Sequence, residues 1–143
     1  GEGSLKAPLQ QYVKEKGLAN IRFLGQLDKK QLGSYYAGSA ALVVASQWYE
    51  GFPMVITEAY AHGLPVIAGN IGNMGSLIEG GKTGVLYAYD SKEELRRAVS
   101  DFAGQEHSKM RQCARVYYEK RLSPQENLAI LEQIYKDILE NKH

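Results

Sequence analysis

Apolar and polar positions alternate along the chain in segments of two periods. Leu5, Leu9, Tyr12 and Val13 recur at helical spacing and predict a helix from Leu5 to about Lys16, capped by Ser4 and ended by Gly17. Ile21–Leu24 reads as a short strand closed by Gly25. Asp28 with Gln31 forms a capping-box pattern opening a helix whose inward face carries Leu32, Tyr35 and Tyr36. Ala41–Ala45 is almost continuously apolar, as expected of a strand buried on both faces. Pro53 then opens a helix that Gly63 ends, and Pro65–Ala68 is a second buried strand, so the segment reads as a βαβ unit. Met74–Glu79 predicts a short helix and Gly84–Tyr87 a last strand.

Beyond Ser91 the pattern is helical. Ser91-Lys92-Glu93-Glu94 caps a helix through Ala103, a second runs from Ser108 to Arg121, and Ser123-Pro124-Gln125-Glu126 starts a third. That last helix carries Leu128, Leu131, Ile134, Tyr135 and Ile138 as an apolar stripe. The expected fold is a parallel α/β layer with a helical C-terminal extension over 107–143.

Composition narrows the function classes. With 143 residues, 44% of them apolar and 23% charged, the chain fits one globular domain. Lys plus Arg number 17 against 16 Asp plus Glu, a balance that argues against a nucleic-acid binder. The single cysteine, Cys113, excludes an intramolecular disulfide framework and a multi-cysteine metal site; beside Met110 and Tyr117 it reads as a core residue. No apolar run approaches membrane-spanning length and no leader pattern is recognised, so the expected location is cytoplasmic.

Candidate chemistry concentrates in Ser46–Glu58, which leaves the C-terminal end of a buried strand, where open α/β sheets bind ligands. Proline at the helix start leaves the amides of Met54, Val55 and Ile56 as first-turn donors at the positive end of the helix dipole, suited to a diphosphate. Gly51 lets backbone approach a ligand closely. Glu50 in the loop and Glu58 in the helix are acceptors suited to sugar or ribose hydroxyls. Glu58 reads equally as an exposed helix residue, and Trp48, Tyr49 and Phe52 as packing residues. The Gly69–Ser76 loop leaves the next strand, and Gly72 and its neighbours either present amides to the same ligand or form a flexible turn. Gly25-Gln26-Leu27 is expected to leave a third strand at that edge and to pack on a base.

Other motifs fail on their residues. Gly81-Lys82-Thr83 has Ser76 where a P-loop requires glycine, and a strand follows it. Gly1-Glu2-Gly3 lacks a third glycine at Lys6. No Asp-x-Asp occurs, and His62, His107 and His143 lack metal-ligand spacing, so neither a metal nor a cofactor is expected.

The run Glu50–Ala68, with its two glutamates, its Gly-Phe and its Ala-x-Gly-x-Pro-Val tail, resembles the signature of group 1 (family four) retaining glycosyltransferases. The resemblance extends from Gly1–Leu5 through Phe23-Leu24-Gly25 to Gly80–Leu86. It implies a GT-B protein and, for residues 1–143, the Rossmann-like donor-binding domain, a parallel sheet flanked by helices. Glu50 would then be the catalytic-side residue at the donor sugar, with Gly51, Phe52, Pro53, Met54 and Val55 lining the sugar and phosphate pocket. Glu58 would hold the ribose, and Leu27 would lie beside the base. Gly75-Ser76 stands where the family usually has Pro-Glu.

The resemblance further implies metal-independent transfer of a hexose from a nucleotide-diphosphate sugar to a glycan or lipid-linked acceptor, as in polysaccharide biosynthesis. The location would be cytoplasmic or peripheral at the inner membrane face. The family's opening strand with its Gly-Arg…Lys segment, a helix and a second strand have no counterpart here. The donor domain is therefore expected to be incomplete, lacking its first strands, with a sheet gap between the Ile21 and Ala41 strands, and inactive by itself. The alternative is a non-catalytic α/β binding module that self-associates through exposed edges and the C-terminal stripe.

Overall fold

The computed structural model describes residues 2–140. The chain divides into two compact units, Gly1–Tyr35 and Tyr36–His143.

In the first unit, α1 (Lys6–Glu15) starts after Leu5, and no side chain caps it. Ser4 therefore does not serve as the cap. The ion pair between Lys6 Nζ and Glu2, 2.7 Å long, ties down the entry instead. Leu5, Leu9 and Tyr12 remain exposed, so the apolar face of α1 has no cover within its unit. Ile21–Leu24 is not a strand: it joins no ladder, and Ile21, Phe23 and Leu24 are exposed. A β-strand exists only through hydrogen bonds to a neighbour, and here β-propensity has no ladder to join. The capping box at Asp28 forms as expected. Gln31 N donates to Asp28 Oδ1 at 2.8 Å, while Asp28 N donates to Gln31 Oε1 at 3.1 Å. It opens α2 (Lys29–Gly38), in which Tyr36 is buried but Tyr35 is exposed.

The second unit holds a three-stranded parallel sheet in the order β1 (Leu42–Val44), β2 (Val66–Gly69), β3 (Gly84–Tyr87). The register sets Val43 beside Ile67 and Ile67 beside Val85. α3 (Met54–Ala61) joins β1 to β2, and α4 (Met74–Leu77) lies between β2 and β3. α4 ends two residues short of Glu79 because Ile78 turns extended. Gly84 starts β3 against β2 so closely that a β-carbon would collide with the Val66 carbonyl oxygen.

β2 is fully buried. α5 (Lys92–Ala103) packs over β3 and β2, and Ile67, Tyr87, Ala98, Phe102 and Met110 close a core there. β1 is not buried on both faces. Val43, on the same face as Ile67, is 47% exposed.

α6 (Ser108–Tyr117) packs on α3. Its Arg111 guanidinium donates to the carbonyls of Ser39 at 2.7 Å and Ala37 at 3.2 Å, satisfying the end of α2. The α-helix stops four residues before Arg121, and a π-helical turn over Tyr118–Leu122 follows. Ser123 Oγ then accepts from Glu126 N at 3.3 Å and caps α7 (Pro124–Glu140). α7 buries none of its residues, and its predicted stripe faces solvent.

Candidate functional site

Two loops leave the C-terminal ends of adjacent parallel strands: residues 45–53 follow β1, and residues 70–73 follow β2. They are locked to each other. Asn73 Nδ2 donates to the Gly51 carbonyl at 2.5 Å. Gly72, at φ +57°, sits where a β-carbon would lie 3.2 Å from the Glu50 carbonyl oxygen and 3.6 Å from Tyr49 Cα. Ser46 Oγ accepts from Trp48 N at 3.3 Å and shapes the first half of the β1 loop. The loop that reads as a possible flexible turn is thus the wall holding Glu50 and Gly51.

Pro53 is buried and extended at φ −75°, ψ 98°, so it is the N-cap of α3 rather than its first helical residue. The Ile56 amide is already used, donating to the Pro53 carbonyl at 3.0 Å. That corrects the expectation of three free donors. Met54 and Val55 remain as the first-turn amides, and both residues are exposed. Glu50, Gly51 and Phe52 are exposed beside them. Trp48 and Tyr49, 79% and 83% exposed, are not packing residues within this chain.

Glu58 sits one turn further along α3. The buried Tyr36 hydroxyl donates to its Oε2 at 3.4 Å. Burial, and then the Glu58 charge, push the Tyr36 phenol above its ordinary range, so it is protonated and donates at neutral pH. His62 Nδ1 lies 2.9 Å from the Glu58 carbonyl oxygen, and its ring lies 5.5 Å from that of Tyr36. Glu58 is therefore an exposed helix carboxylate held from one side.

Sequence reasoning missed Tyr36 and Asn73 as functional supports. Tyr36 reads only as an apolar-face residue, and a lone asparagine among glycines has no distinctive pattern. It also missed a cleft of about 430 Å³ at the end of β3, with Asn70, Tyr89, Asp90 and Glu94 in its walls. Leu27 is half-buried in the first unit, but no strand delivers it to a sheet edge. Among the described residues no cluster of His, Cys, Asp and Glu suits a metal ion. His107 stacks on Phe102 with ring centroids 4.1 Å apart, and His143 lies outside the described residues.

A parallel sheet with interlocked loops at its C-terminal edge and a proline-started helix bearing a held carboxylate defines a Rossmann-like domain of GT-B type. The chain belongs to the glycosyl transferases of group 1, whose family pattern matches residues 1–121. It is 38% identical over 100 residues to a glycogen synthase of Mycobacterium tuberculosis, covering 69% of this chain and 24% of that protein. Among solved structures it is similar to a glycosyltransferase from Rickettsia africae (27% identity, TM-score 0.80, 99% of this chain and 39% of that one). It is likewise similar to Anabaena HepE in complex with UDP-glucose (28% identity, TM-score 0.77, 95% of this chain and 38% of that one). The chain spans about a third of the length of curated relatives it matches, 32% and 30% in two cases.

Proposed function

We propose that this chain is the donor-binding portion of a retaining, metal-independent glycosyltransferase. The protein moves a hexose from a nucleotide-diphosphate sugar to a glycan or lipid-linked acceptor. The observation that carries the reading is the interlocked pair of loops, which fixes the Glu50–Gly51 backbone at the C-terminal end of the strands, directly before the helix that carries the Met54 and Val55 amides and Glu58.

The exposed amides at the start of α3 bind the diphosphate and stabilise the charge that develops on it as the sugar departs. Glu50 accepts from the sugar hydroxyls near the transferring carbon. Gly51, Phe52 and Pro53 line the sugar pocket. Glu58 accepts from the ribose hydroxyls. The similarity to HepE, a protein solved with UDP-glucose, supports a nucleotide sugar as the donor. No described helix is long and apolar enough to cross a membrane. The family resemblance supports a location in the cytoplasm or at the inner membrane face.

Calorimetric titration with UDP, GDP and ADP tests this. One of them binds, and Glu58→Ala, with its circular dichroism unchanged, loses about ten-fold or more in affinity, the worth of charged hydrogen bonds. A protein that ignores all three nucleotides refutes the reading. A second reading, self-association, is favoured by one observation: the apolar stripe of α7 faces solvent. Concentration-dependent sedimentation combined with no nucleotide binding would select it.

A further inference from the structure

At the opposite end of the sheet from these loops lies a cavity of about 330 Å³. One wall is the turn before β3, with Glu79, Lys82 and Thr83; the other is α6 and the π-helical turn after it. Cys113, Val116 and the Tyr117 ring give it an apolar body. Cys113 is thus a half-buried wall residue, not a core one.

The rim is cationic and undercompensated. Lys82, Lys120 and Arg121 face a single carboxylate, Glu79, which lies 3.5 Å from the Lys82 ammonium. Arg121 rests on the Tyr117 ring, 5.1 Å from its centroid, and among the described residues neither it nor Lys120 has an acidic partner. The floor is rigid. Thr83 Oγ1 lies 2.8 Å from the buried Tyr60 hydroxyl and accepts from Glu79 N at 2.9 Å, and Tyr117 OH donates to the Ser76 carbonyl at 3.2 Å. The rim itself is a π-helical turn, a rare geometry that recurs at functional sites. Two unpaired cations over an apolar, aromatic-walled cavity suit a dianion with an apolar body.

We propose that this cavity binds a small organic phosphate monoester, with the phosphate on Lys120 and Arg121 and the apolar body against Val116, Tyr117 and Cys113. The site is separate from the nucleotide site and does not depend on that reading.

Cys113 is a built-in reporter. Its alkylation by iodoacetamide is followed by mass spectrometry of the peptide that carries it, in the protein as expressed, with phenyl phosphate, inorganic phosphate or benzyl alcohol as probes. At about ten times its dissociation constant, phenyl phosphate slows alkylation about ten-fold. Inorganic phosphate protects less, benzyl alcohol and UDP do not protect, and the double variant Lys120→Gln/Arg121→Gln abolishes protection. Phenyl phosphate also raises the melting temperature of the parent protein and not of the double variant, a readout independent of thiol reactivity. No protection together with no thermal shift, protection that survives in the double variant, or equal protection by benzyl alcohol or UDP would overturn the proposal.

Discussion

Gly72 and Glu50 touch backbone to backbone: a β-carbon on Gly72 would lie 3.2 Å from the Glu50 carbonyl oxygen and 3.3 Å from its amide nitrogen. Two loops from neighbouring strands are thereby fixed to each other, and the proposed sugar-contacting carboxylate with them. Gly72→Ala meets both this crowding and the left-handed backbone at φ +57°. The expected loss is about 1–2 kcal/mol of stability, measured by denaturant unfolding. Because the displaced partner is Glu50, nucleotide-sugar affinity falls further than affinity for the bare nucleotide.

Tyr36 acts through Glu58. Its hydroxyl donates to Glu58 Oε2 at 3.4 Å, so Tyr36→Phe leaves the carboxylate free to turn away. The variant is expected to bind the preferred nucleoside diphosphate several-fold more weakly. The 2′-deoxy analogue should lose less, since it lacks one of the ribose hydroxyls proposed to bind Glu58. Equal losses for both ligands in calorimetry would show that Tyr36 only packs.

Tyr60 is fully buried and joins α3 to the turn before β3 through Thr83 Oγ1 and the Leu77 carbonyl. Tyr60→Phe leaves those groups short of a partner and costs about 1–3 kcal/mol. Burial pushes the Tyr60 phenol well above its ordinary range. The unfolded chain therefore releases this proton first, and stability falls as pH rises from the ordinary tyrosine value toward the folded one. Below about pH 10 the Tyr60 contribution is fully present, and above it stability declines. The decline is shallower in Tyr60→Phe, as thermal melts across the alkaline range would reveal.

Ser91 Oγ accepts from Glu94 N at 3.1 Å and caps α5, the helix that covers β2 and β3. Ser91→Ala is expected to cost about 1 kcal/mol, and Ser91→Asp to restore it. Urea unfolding followed by circular dichroism measures both.

Much of the candidate site's local geometry was legible in the sequence because its signals are local. Pro53, Gly51 and the glutamates at 50 and 58 announce a strand-to-helix turn from their own backbone preferences and donor chemistry, and the glycine-rich segment at 69–76 marks a second loop. Tyr36 and Asn73 were not legible. Their roles depend on partners 22 residues away in each case, a distance at which no periodicity carries information. Ile56 shows the converse: position alone offers its amide to a ligand, and only the geometry at Pro53 shows it already bonded.

By itself the sequence determined the helices opened by capping boxes, the buried β2, a last strand at β3, and the βαβ order. Capping, turn chemistry and continuous apolar runs act within a few residues of chain. Tertiary structure decided the rest. It left Ile21–Leu24 without a ladder, Val43 uncovered at the sheet edge, and Cys113 on a cavity wall instead of in the core. It also interlocked the two loops at Gly72. Each of these depends on which surfaces meet, and an apolar or glycine position states that it can be covered or approached without naming what will do so.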